Sequence, residues 1–155
     1  TLSLPGIEYD TTMSLPRVVL DTNVILSGLR SKLGASYLLL ESIPKSKFDF
    51  CISPALILEY EDVLKRHSGV EIEQTPDEID DIIDYLCAVG EPTKIYYLWR
   101  PQLKDPSDDM VLELAVASGV KQIVTFDHKD FDRASFFGIT PITPKDFLKA
   151  IGVIS

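Results

Sequence analysis

The chain has 155 residues, with 24 acidic and 15 basic side chains for a net charge of −9, and 45% of it is hydrophobic. That composition excludes a disordered chain and argues against a protein that holds nucleic acid through phosphate contacts alone, which is ordinarily basic. It leaves room for a nuclease that gathers carboxylates around divalent cations, because the cations reverse the local field. The length suits one domain with a substantial core.

No apolar run approaches the ~20 residues that span a bilayer, and no basic region followed by an apolar core opens the chain. We therefore expect a cytoplasmic protein with no membrane association. Cys51 and Cys87 read as buried free thiols, since two Cys and two His so dispersed do not make a zinc site. Residues 1–16 lack periodicity and contain Pro5, Gly6 and Pro16. We read them as an extension, in part vector-derived, with Met13 as the native start and the domain itself over residues 17–155.

Val18 to Asp21 reads as a short buried strand that ends in a carboxylate, and Val24, Ile25 and Leu29 then suit a helical face. Asp21 is either the cap of that helix or a site residue at a strand's carboxyl end. Thr22 and Asn23 follow as small polar groups able to hold it still. A helix over Leu33 to Ile43 is ended by Pro44. Phe48 to Ser53 alternates and is a second strand. Ser53-Pro54 then starts a helix with apolar face Leu56, Tyr60, Val63 and Leu64, bordered by Glu59.

Thr75-Pro76-Asp77-Glu78 starts a further helix to about Val89, stopped by Gly90, whose many acids form a solvated face. Lys94 to Trp99 is the third strand. Asp105, Asp108 and Asp109 crowd the start of a helix through Ala117, more acid than a cap requires. Gln122 to Thr125 is the fourth strand, with Asp127 just beyond it. His128 to Phe137 is a loop or short helix, Ile139 to Thr143 a fifth strand, and Pro144 to Ile151 a last helix. The alternation implies a three-layer α/β/α fold around a mostly parallel sheet of about five strands.

In such a sheet, strand carboxyl ends and the helix N-termini after them share one edge. Asp21, Asp108 and Asp127 all fall there, and Glu59 can reach toward it. Four carboxylates without matching bases repel one another unless cations compensate. Oxygen-only ligands suit Mg²⁺ or Mn²⁺, and the chemistry implied is phosphodiester hydrolysis. His67 reads as a surface residue. His128, beside Asp127, reads more as a bystander than as a proton carrier. No nucleophile elbow, Walker loop or dinucleotide loop is present.

The ordered set Asp21-Thr22-Asn23, Ser53 to Glu59, Asp105-Pro106-Ser107-Asp108-Asp109, Thr125-Phe126-Asp127 and Ile142 to Phe147 resembles the PIN domain. The likeness covers roughly residues 17 to 150 and is nearest to the branch of toxin components of toxin–antitoxin systems. It implies a Mg²⁺- or Mn²⁺-dependent ribonuclease acting on single-stranded RNA, with Asp21, Glu59, Asp108 and Asp127 as the catalytic and metal-holding quartet. Asn23 and Thr125 would orient the acids or the substrate, and Asp105 and Asp109 stand in reserve. Ser107 departs from the pattern, where an acid is common. Structured RNA, an antitoxin protein and a second copy of the chain are further expected partners. Two other readings remain: a catalytically silent PIN-like binding module, and a receiver-type phosphotransfer domain. The second lacks the acid pair at the first strand and has Trp99-Arg100, not an acceptor Asp, after the third.

Overall fold

A computed structural model describes residues 15–95 and 106–155. In chain order its elements are β1 (Arg17–Leu20), α1 (Thr22–Arg30), α2 (Ala35–Ser42), β2 (Asp49–Ile52), α3 (Pro54–His67), α4 (Pro76–Val89), β3 (Glu91–Pro92), α5 (Pro106–Ser118), β4 (Gln122–Val124), a 3₁₀ segment (His128–Phe137), β5 (Thr140–Ile142) and α6 (Pro144–Ala150). The described strands form one five-stranded sheet in the order β3-β2-β1-β4-β5, with every pair parallel. Helices flank it in the expected three-layer arrangement.

The order fixes where a ligand can bind. From β1 the chain winds outward through β2 to β3, then returns to the other side of β1 for β4 and β5. The strand order therefore reverses between β1 and β4, and a crevice opens there at the carboxyl edge. Val18, Val19 and Leu20 are buried on both faces, as a central parallel strand requires. The β1–β4 register sets Leu20 opposite Val124, which brings the residues that follow each strand, Asp21 and Thr125, to the crevice together.

Helix starts follow the local chemistry. Ser53 Oγ accepts from the Leu56 amide at 3.2 Å, and Thr143 Oγ1 accepts from the Asp146 amide at 3.1 Å. Thr75 and Glu78 form a reciprocal capping box at α4. The acids of α4 are solvated as expected, and Asp80 pairs with Lys65 of α3 at 2.7 Å. Gly28 lets α1 and α2 approach closely: a Cβ there would lie 2.5 Å from Leu40 Cδ1.

Four sequence expectations are corrected. The third strand is Glu91–Pro92, ahead of the apolar run; Lys94 and Ile95 are not strand, and Tyr96 to Trp99 lie outside the described residues. Gly90 packs so tightly on Leu86, Ile52 and Phe50 that the chain leaves α4 straight into pairing with β2, where the Thr93 amide donates to the Ile52 carbonyl at 2.9 Å. Pro92 is tolerated because this strand is an edge. Arg17 reaches across Cys51 to hold Glu91 through two contacts of 3.0 and 2.7 Å. Second, β2 does not alternate: Phe50, Cys51 and Ile52 are all buried, because helices cover both faces. Third, α2 begins at Ala35, and Leu33 is almost wholly exposed in the turn before it. Fourth, Cys51 is buried but Cys87 is exposed on α4.

Candidate active site at the carboxyl edge of the sheet

Asp21 closes β1 and is the N-cap of α1, yet its side chain does not make an ordinary cap. Oδ1 accepts from the adjacent Thr22 amide at 2.8 Å, not from an amide two or three residues into the helix. Oδ2 accepts from the Thr125 hydroxyl at 2.7 Å, beyond β4. The carboxylate is thus turned across the crevice, with both oxygens already oriented. Asp21 thus occupies the N-cap of α1 and, through Thr125, the crevice between β1 and β4.

Thr125 is fully buried, and its hydroxyl accepts from the Asp127 amide at 3.0 Å while donating to Asp21. Asn23 Nδ2 donates to Asp127 Oδ2 at 2.8 Å. One hydroxyl and one amide therefore knit the acids of two strands together. Asp21 is buried and Asp127 exposed, so the pair has an inner and an outer carboxylate. Burial pushes the Asp21 carboxyl from 3.8 up to about 6. The hydrogen bonds from Thr125 and Thr22 oppose that shift, while Asp127 and Asp130 add to it by repulsion.

The remaining sequence candidates are placed as follows. Glu59 is half-buried on α3. Its neighbour Tyr60 donates its hydroxyl to the Leu20 carbonyl, which clamps α3 to the end of β1. Asp108 and Asp109 are buried in the first turn of α5, where the helix dipole favours them, and each has a partner within the protein. Asp105 lies outside the described residues. Among the described residues, no three Asp, Glu, His or Cys side chains stand close enough to hold a metal ion. The structure thus links Asp21 to Asp127 through the Thr125 hydroxyl, with Asn23 holding the outer carboxylate. His128 is exposed beside Asp127, and His67 pairs with Glu71 away from the crevice.

The donor set fits a hard cation that keeps much of its water. Mg²⁺ is commonly held by one or two carboxylates plus water, and the Asp21 and Asp127 carboxylates follow two neighbouring strands at this crevice. A second observation points the same way: Asn23 Oδ1 is buried without a hydrogen-bond partner, beside Asp127. A buried acceptor left without a donor is costly, and a cation's hydration water would supply one.

Sequence reading missed two residues of this edge. Tyr60 passed as an apolar helix position, although its hydroxyl sets the backbone just before Asp21. Glu113 passed as one polar residue of an otherwise apolar helix, but it is buried at 2% exposure. A lone Glu inside the run Met110 to Ala117 was the available signal.

Fold and site together define a doubly wound parallel α/β domain with paired acids at its switch point. A model of the PIN domain matches residues 17–129, and the chain belongs to that family. Among solved structures, the fold is similar to a chain in the crystal structure of VapBC2 from Rickettsia felis bound to a DNA fragment from their promoter. That similarity has a TM-score of 0.55 at 14% identity, over 82% of this chain and 98% of the other. No curated protein matches the chain. Among the described residues, no helix is long and apolar enough to cross a membrane.

Proposed function

We propose that this protein is a divalent-metal-dependent ribonuclease that cleaves single-stranded RNA, and that it is the toxin of a cytoplasmic toxin–antitoxin pair. Residues 17–155 would be the nuclease domain and residues 1–16 an extension. One observation carries the reading: in a PIN domain, a family whose members are generally nucleases, Asp21 and Asp127 are joined through Thr125 and Asn23 at the switch point. The fold similarity to a VapBC2 chain supports an antitoxin partner and a dimer.

Asp21 and Asp127 would hold Mg²⁺ or Mn²⁺, with Asp108 and Glu59 completing the quartet and Asp105 and Asp109 in reserve. When bound, the ion supplies an activated water nucleophile and neutralises charge on the phosphate. The chain's own residues do the rest. Thr125 donates to Asp21 and so keeps that carboxylate's other lone pairs aimed at the crevice. Asn23 fixes the rotamer of Asp127 and leaves Oδ1 as an acceptor for a water or a ribose hydroxyl. Tyr60 fixes the end of β1, so the inner carboxylate is positioned before substrate arrives.

The test is cleavage of a mixed pool of single-stranded RNAs with Mn²⁺ by the wild type, Asp21→Asn and Asp127→Asn. We expect the wild type to cut and each variant to lose at least ~100-fold. Equal cutting by all three would sink the assignment. RNA binding by a wild type that cuts nothing in the pool would favour the silent binding module.

A further inference from the structure

The segment that links the acid pair holds one side chain with no part in that link. Phe126 sits between Thr125 and Asp127, with its Cα about 3.8 Å from each neighbour's, yet the residue is 46% exposed. The backbone is pinned on both sides of it. The Thr125 amide donates to the Ile142 carbonyl at 2.9 Å, and the Asp127 amide donates to the Thr125 hydroxyl at 3.0 Å. The ring therefore stands on fixed backbone at the carboxyl edge, where ligands of such a sheet bind. Single exposed apolar residues are ordinary, and position is what sets this one apart. Among the described residues, the other exposed large apolar side chains lie in helices, in turns beside helices, before β1, or at the end of the 3₁₀ segment that leads to β5. None of them stands just beyond a strand's carboxyl end.

Its surroundings decide what it can take. Among the described residues no aromatic ring or cation stacks on Phe126, whereas Arg133 lies over the Phe136 ring at 5.6 Å. The charges beyond it are mixed: His128 and Lys129 are exposed, but so are Asp127, Asp130 and Asp132. This segment therefore offers no basic track for a phosphate backbone. A strand held here gains instead from stacking, which every base can supply because every base has a π-face. Thr125 turns its hydroxyl to Asp21, and side chains alternate along extended chain, so Phe126 takes the other side of the backbone. That placement suits the base of a nucleotide flanking the cut, not the one whose phosphate meets the acids. A base reaches such a ring only when it is unpaired and splayed from its strand.

We propose that Phe126 is the stacking platform for an unpaired base flanking the cut in the RNA strand. The proposal rests on the ribonuclease reading for its biological substrate, but binding is read without catalysis. The full chain, kept in chelator at low salt, is titrated with a dye-labelled single-stranded RNA of about 12 nucleotides, within the span of single-strand sites. The same RNA annealed to its complement is the control. Phe126→Ala should weaken single-strand binding about tenfold, the size of one base–aromatic stack, and leave the melting temperature unchanged because the residue is exposed. That loss should persist as salt is raised, whereas a phosphate contact fades. Phe126→Trp should restore the affinity. Its indole, read against the single Trp of the wild type, should be quenched by the single strand and not by the duplex. No single-strand binding by the wild type, a duplex bound as tightly, or a Phe126→Trp protein as weak as Phe126→Ala would each overturn the platform. So would an unchanged affinity in Phe126→Ala, the result expected if the ring serves a protein partner. Strand binding that depends on Phe126 in a protein that cuts no RNA would overturn the ribonuclease reading alone.

Discussion

Replacing Asp21 by Asn should make the metal-free protein more stable at neutral pH, and the gain should disappear in acid. Burial raises the folded carboxyl to about 6, against 3.8 for the free group. Between those values the folded state holds a proton that the unfolded state has released, so stability falls as pH rises through that window and levels off above pH ~6. A shift of about two units corresponds to ~3 kcal/mol of destabilisation at pH 7.5, of which roughly 1 kcal/mol remains at pH 4.5. The amide carries no charge and removes that cost. It keeps an oxygen for the Thr22 amide, but the Thr125 hydroxyl, which donates to Oδ2 at 2.7 Å, would face an NH₂ group instead. Losing that bond costs about 1 kcal/mol. The net expectation is a gain of ~2 kcal/mol at pH 7.5, or roughly 4–8 °C in melting temperature for a domain of this size. At pH 4.5 the two proteins should melt together. Thermal unfolding in chelator at both pH values measures this. A variant less stable than wild type at pH 7.5, or a difference independent of pH, would refute the argument that Asp21 is a desolvated, like-charge-crowded carboxylate.

Tyr60→Phe removes the buried donor to the Leu20 carbonyl; we expect a loss of ~1–3 kcal/mol in urea unfolding and a fall in RNA cleavage larger than in the fraction folded. Gly90→Ala places a Cβ 2.8 Å from the Leu86 carbonyl oxygen and 2.9 Å from both Ile52 and Phe50. The crowding should cost ~1–3 kcal/mol, and an unchanged unfolding midpoint would show that β3 does not dock as described. Mg²⁺ or Mn²⁺ should raise the melting temperature of the wild type, with about 2.7 kcal/mol at a hundredfold excess over Kd, and should do so less for Asp127→Asn. Equal shifts in both proteins would remove Asp127 from the ion's ligands.

Much of this protein is determined locally. Helix starts were legible because a cap acts within three residues: Ser53 and Thr75 cap where their sequence places them, whereas Thr143, read as the end of the fifth strand, caps the last helix. The same holds for the buried strand before Asp21 and for the acids just past β1 and β4, whose place on the carboxyl edge follows from parallel topology alone. What the sequence could not decide depends on partners far along the chain. Glu91–Pro92 is a strand only because Gly90 admits it against Ile52 and Phe50, so an apolar run nearby was the more persuasive candidate. The alternation read in Phe48 to Ser53 dissolved once helices covered both faces of β2. At the site, residue types were readable but their pairing was not. Only the β1–β4 register brings Thr125 to Asp21 across 104 positions, and only α3 packing carries the Tyr60 hydroxyl to Leu20. Burial, which moves the Asp21 proton, is likewise a property of everything packed around it and of no stretch of sequence by itself.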